Sequence, residues 1–209
     1  DLVKVVMMKL FEFMSEIDLN LVQDSAIQSM KTIVKRCSNL LINLQEGEEC
    51  SYLEMMLRNA EGILSSLSLD NVVEMYEIFA FLIQQIKGDE IREQMVDAIS
   101  SAINSEENNG LIALASNIQP FDEDWLSKFN LVIKCNKKMA KFLSYIYYRP
   151  LRSIILYLIQ IYSNISEGIQ SLDIESNQQS FVVLMGVKST IVKLFTMSVK
   201  MCSKIQLIN

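Results

Sequence analysis

The sequence contains no histidine. That absence removes serine–histidine and cysteine–histidine nucleophile pairs, imidazole acid–base catalysis and nearly all zinc hydrolase sites. Proline occurs twice and glycine six times in 209 residues, too few for a fold of short strands joined by turns. The glycines, at 47, 62, 88, 110, 168 and 186, build neither a phosphate-cradling loop nor a dinucleotide fingerprint. The four cysteines include no C-x-x-C pair, which argues against a zinc ribbon or a thioredoxin-type redox centre. Glu48-Glu49 and Asp122-Glu123-Asp124 read as helix starts, where carboxylates meet unsatisfied amides, rather than as paired acids across a cleft. The chain is therefore expected to be no enzyme and to hold no metal or cofactor.

Charge is sparse as well. Asp, Glu, Lys and Arg make up 21% of the residues against 50% apolar, and the mean hydropathy is +0.22. A globular chain with those values buries an unusual share of itself or exposes a sticky surface. Met, Leu, Ile, Glu and Gln fill the long segments between polar clusters, which favours helices. Apolar spacing predicts helices over roughly 2–16, 20–44 (capped by Asp18 or Asn20), 50–66, 70–88, 89–104, 110–118, 122–148 and 177–206, the last capped near Ser176. The expected fold is all-α: one compact bundle of about eight helices over 1–209, with the polar run "NSEENNG" at 104–110 as the place where two helical subdomains would meet.

The run "KFLSYIYYRPLRSIILYLIQIYSNIS", Lys141 to Ser166, is too interrupted by Arg149, Pro150 and Arg152 to span a membrane. Pro150 is expected to break or kink the chain. Beyond it, Arg149, Ser153, Tyr157, Gln160 and Asn164 form one narrow polar line, and Leu151, Ile154, Ile155, Leu158, Ile159 and Ile161 cover the rest of the circumference. That pattern predicts a central helix with one wet edge.

The net charge of −6 is unevenly spread. Residues 1–108 hold 19 acids and 8 bases, residues 109–209 hold 6 and 11. Within the basic half, Lys134, Lys137, Lys138 and Lys141 repeat at helical spacing opposite Val132, Cys135, Met139, Phe142, Leu143 and Ile146. With Arg149 and Arg152 downstream, this stripe is the candidate surface for an acidic partner or lipid head groups. Nucleic acid is not expected, because the chain as a whole is acidic and the stripe lacks Arg and stacking aromatics. Trp125, the only tryptophan, is expected to anchor the core.

Cys37, Cys50, Cys135 and Cys202 are disulfide candidates. Cys37–Cys50 would pin a helical hairpin and Cys135–Cys202 would tie the basic helix to the last one. Asn164-Ile165-Ser166 is a glycosylation sequon, and the chain opens at Asp1 without Met, so secretion is expected, with a cytoplasmic location as the alternative. The short echo "VKRCSNLL", "VIKCNKKM", "SVKMCSKI" has unequal spacing and does not support a regular solenoid. Twelve methionines fill a core or line an adaptable pocket.

These features support a non-enzymatic binding protein that carries an apolar small molecule or docks a protein partner through its basic helix. One alternative is a self-assembling structural protein that uses its acidic and basic halves head to tail. Another is a pathogen effector that binds a host protein.

Overall fold

The computed structural model describes residues 2–15, 20–104, 123–170, 173 and 177–208, which are helical almost throughout and contain no strand. The fold is all-α. Helices α1 (Leu2–Met14), α2 (Asn20–Ile42), α3 (Tyr52–Arg58), α4 (Ala60–Ser65), α5 (Leu69–Gln85) and α6 (Asp89–Ile103) precede α7 (Glu123–Leu143), a 3-10 turn (Ser144–Tyr147), α8 (Tyr148–Gln170) and α9 (Gln178–Ile208). The chain divides into two compact units, Asp1–Ala102 and Ile103–Asn209. This division falls at the edge of the polar run 104–110. The short helix expected over 110–118 lies outside the described residues.

In the first unit, α2 packs against α1 and α5. Helical spacing puts Ile27, Met30, Val34, Cys37 and Leu41 on one stripe of α2, and that side faces inward: Ile27, Met30, Val34 and Leu41 are buried. Cys37 departs from helical geometry at φ −121°, ψ 21° and is half-buried. Lys31 on α2 pairs with Glu74 and with Glu77 of α5, the latter at 3.2 Å. The helix expected over 50–66 is divided at Asn59, whose φ of −104° and ψ of 12° interrupt it. Ser51 and Glu54 close a capping box at its start, satisfying two of the amides that a helix N-terminus leaves open. Ser68, two residues ahead of the helix start expected at 70, caps α5. Gly88, at φ +97°, turns the chain between α5 and α6 through a left-handed conformation that side chains rarely adopt.

A buried glutamine ties this unit together. Gln23 is 1% exposed. Its Nε2 donates to the carbonyl oxygens of Met14 at 2.9 Å and Ser66 at 3.1 Å, and its Oε1 accepts from the Ser68 amide at 3.3 Å. One side chain thus satisfies backbone groups at the end of α1, beyond α4 and at the cap of α5, where orphaned groups would otherwise be costly.

In the second unit, α9 packs against both α7 and α8. Its Leu184, Val187, Ile191 and Leu194 are fully buried, as are Phe129, Ile133 and Met139 of α7 and Leu151 and Leu158 of α8. Trp125 is in the core, stacked on Phe129 with centroids 5.0 Å apart and planes 9° apart. Buried Asn136 accepts from the Tyr147 hydroxyl at 2.8 Å and donates to Val132 O at 2.9 Å and Asn104 Oδ1 at 3.2 Å.

Two expectations for this unit are corrected. The break between α7 and α8 comes at Ser144, the one non-glycine residue with positive φ (+54°) among the described residues, and at the 3-10 turn that follows. Pro150 is the third residue of α8, inside the first turn, where a missing amide hydrogen removes no helical bond. Secondly, α8 is not central. Leu156 is 74% and Ile159 53% exposed, because the helix is covered on one side only, chiefly by α9.

Candidate functional site

Spacing of i, i+3, i+4 and i+7 puts Lys134, Lys137, Lys138 and Lys141 on one side of α7. Lys134, Lys137 and Lys138 are half-buried and Lys141 is exposed. The fold adds a fifth cation, Lys193, from α9. Desolvation, followed by the charges of Lys193, Lys138, Lys134 and Lys141 in that order, holds the Lys137 amine below the ordinary lysine range. The charged neighbours that set its proton affinity are all lysines. The Lys141 amine lies 5.2 Å from the centroid of the Phe142 ring, a cation–π contact at the rim of the array.

The flanking cations fall elsewhere. Arg149 and Arg152 are exposed near the start of α8. Arg152 acts on Tyr148, whose hydroxyl is hydrogen-bonded with the Cys202 thiol and is pushed above the usual tyrosine range chiefly by that bond. Lys193 is the member that reading along the chain misses. Its signal is compositional: α9 holds Lys188, Lys193, Lys200 and Lys204 and no acid. Which side of α7 those lysines meet depends on helix pairing.

The remaining candidates do not converge on this surface. All four cysteines are free thiols, so the two expected bonds are not formed in this structure. Cys135 is buried beneath the lysine array, and burial pushes its thiol far above the usual range, the opposite of a reactive cysteine. Asn164 lies inside α8 rather than in a surface loop, with its Oδ1 accepting from Gln160 Nε2 at 3.1 Å and its neighbour Ile165 buried.

Two further features bear on ligand class. In the first unit a groove of about 490 Å³ opens to solvent between α1 and α3–α4, with Met14, Met55, Met56 and Ile63 beside Arg58 and Glu61. The groove is open to solvent and lined by both apolar and charged side chains. Over Gln178–Ile205, α9 has the length and hydropathy to cross a membrane, and 33% of its most apolar stretch is buried inside the unit.

An array of amines on two packed helices can do one thing well: donate to and electrostatically attract carboxylates or other anions. Among known proteins, Exportin-1 of Drosophila melanogaster is 25% identical to the chain over 190 residues, a match that takes in 88% of this chain and 18% of that protein. The chain thus spans less than a fifth of that relative's length. No protein-family model matches the chain.

Proposed function

We propose that this chain is a non-enzymatic helical docking module that presents the lysine array of α7 and α9 to an acidic surface on a protein partner. The observation that carries the reading is the convergence of Lys134, Lys138, Lys141 and Lys193 on Lys137. An ordinary solvated helix face intersperses charges of both signs, and like charges at this spacing destabilise it. At Lys137, besides desolvation, the neighbouring ammonium groups lower the proton affinity, a cost that an anionic partner would offset.

The test uses labelled poly-L-glutamate, an acidic chain that is disordered at neutral pH. It should bind the protein in a salt-sensitive way, and Lys137→Glu with Lys138→Glu should weaken binding by about tenfold or more, since charge reversal turns attraction into repulsion. Unchanged helical circular dichroism would show that the variant is folded. Equal binding by the wild type and the doubly reversed variant would refute the reading.

A further inference from the structure

The outer face of α9 carries a second pattern that core packing does not use. Its buried residues Leu184, Val187, Ile191 and Leu194 follow a 3,4,3 spacing toward α7 and α8. Displaced around the helix, Val182, Met185, Val192 and Val199 recur with Ser189, Thr196 and Ser203 at alternating steps of three and four, and every one of the seven is exposed. The four apolar members are 63%, 44%, 45% and 66% exposed. A helix that only roofs a core turns charged and polar residues outward. This outer stripe has no charge across three heptads, about 32 Å of helix at 1.5 Å per residue.

The hydroxyls in the stripe do not make it wet. Thr196 Oγ1 donates to Val192 O at 2.9 Å and Ser203 Oγ to Val199 O at 3.1 Å, so both donors are satisfied within α9. Ser189, Thr196 and Ser203 are smaller than the Val and Met between them, and such alternation of small and large side chains suits the packing of knobs from another helix.

Charge at the two edges selects the occupant. Helical spacing places Lys193, Lys200 and Lys204 along one edge of the stripe, and the Lys193 edge is the one reinforced by Lys137 of α7. Along the other edge is Lys188, with its amine 4.7 Å from the centroid of the Tyr162 ring on α8. In paired helices the flanking charges set partner choice. A second copy of α9 would bring lysine against lysine in either orientation, which disfavours self-association through this face. Acidic flanks complement it.

We infer that the outer face of α9 is the seat of an amphipathic helix from a protein partner, one with an apolar seam and Glu or Asp along both edges. The inference rests on the docking reading above and names the shape of what docks. Anionic lipid is the competing surface for an apolar stripe edged with lysine. Against lipid stands the hydroxyl at every seventh position, which a bilayer has no use for and a facing helix does.

The probe is a fluorescent three-heptad peptide with Leu at its seam positions and Glu at both flanks, beside a twin with Lys at the flanks, each titrated with the full chain by anisotropy. The Glu peptide should saturate one to one and weaken as salt rises, and the Lys twin should not bind. Val192→Glu or Val199→Glu, at exposed positions, should lower affinity for the Glu peptide by about tenfold or more, as removal of a central apolar anchor does. Poly-L-glutamate binding should persist in both variants. Equal binding of the two peptides, or indifference to both Val→Glu changes, would overturn the seat. Failure of the Glu peptide while poly-L-glutamate still binds would overturn it too and leave the docking reading standing; failure of both probes would remove that reading as well. Sedimentation with phosphatidylcholine–phosphatidylserine vesicles in high salt, lost in Val192→Glu, would assign the face to a membrane and likewise overturn the helix seat.

Discussion

Lys137 carries two costs in the folded chain: partial loss of water and four neighbouring ammonium groups. Its folded proton affinity is therefore lowered relative to the unfolded chain. The charged form is the disfavoured one, so the penalty is fully present below the folded pKa and is lifted as pH rises through that value toward the ordinary lysine range. Replacing Lys137 with Gln should raise stability at neutral pH by a few tenths of a kcal/mol, a figure discounted for solvent screening because the side chain is only half-buried. The gain should shrink as salt is added and as pH climbs toward that of free lysine. Urea midpoints at two salt concentrations and across that pH range check this, and a gain independent of both would put its cause elsewhere than charge. The same substitution should weaken poly-L-glutamate binding. At this scale legibility stops at the edge of one helix. Lys134, Lys137, Lys138 and Lys141 could be read together because helical periodicity is a local property, whereas Lys193 joins them only through the pairing of α7 with α9, which no local spacing encodes.

Elements in this chain were easier to recognise than their surroundings. The stripe Ile27, Met30, Val34, Leu41 told which side of α2 turns inward, and Gln23 lies on that same stripe four residues before Ile27. Its position was a usable signal: a polar residue at a core position must find partners, and Gln23 bonds three backbone groups from three places in the chain. Replacing it with Leu keeps the volume roughly but leaves the buried Met14 carbonyl and the part-buried Ser66 carbonyl and Ser68 amide without this partner, for an expected cost of about 1–3 kcal/mol. Chemical denaturation should show that loss, while Thr32→Ala on the exposed side of α2 should cost under about 0.5 kcal/mol. Near-equal losses would mean that the Gln23 bonds add nothing beyond helix propensity. The misreading of α8 has the complementary cause. Periodicity reports where apolar residues lie around a helix, not how many neighbours arrive to cover them, and Leu156 and Ile159 stay in water because α8 is packed on one side. The division of α3 from α4 at Asn59 was missed because a one-residue departure leaves the surrounding apolar spacing intact.

The unequal charge of the two halves takes on meaning at the level of the whole chain, because the compositional change near 104–110 falls beside the division between Ala102 and Ile103. Each unit holds a buried core of its own: Ile27, Met30 and Phe79 in the first, Phe129, Leu158 and Ile191 in the second. A small domain with its own core unfolds as a cooperative whole. The molecule supplies a reporter for one unit alone, since Trp125 is the only tryptophan, is 6% exposed and is stacked on Phe129. Its emission should shift to the red when the second unit opens, whereas far-ultraviolet ellipticity follows helices in both. Urea curves from the two probes should therefore fail to coincide, with ellipticity changing over a wider range than Trp emission. Gln23→Leu sharpens the test, because Gln23 and the described backbone groups of Met14, Ser66 and Ser68 that it bonds lie in the first unit. It should move the ellipticity curve to lower urea and leave the tryptophan midpoint where it was. Coincident curves that shift together in the variant would mean that the division in structure is not a division in folding, and that the lysine array of α7 and α9 depends on the acidic half for its stability.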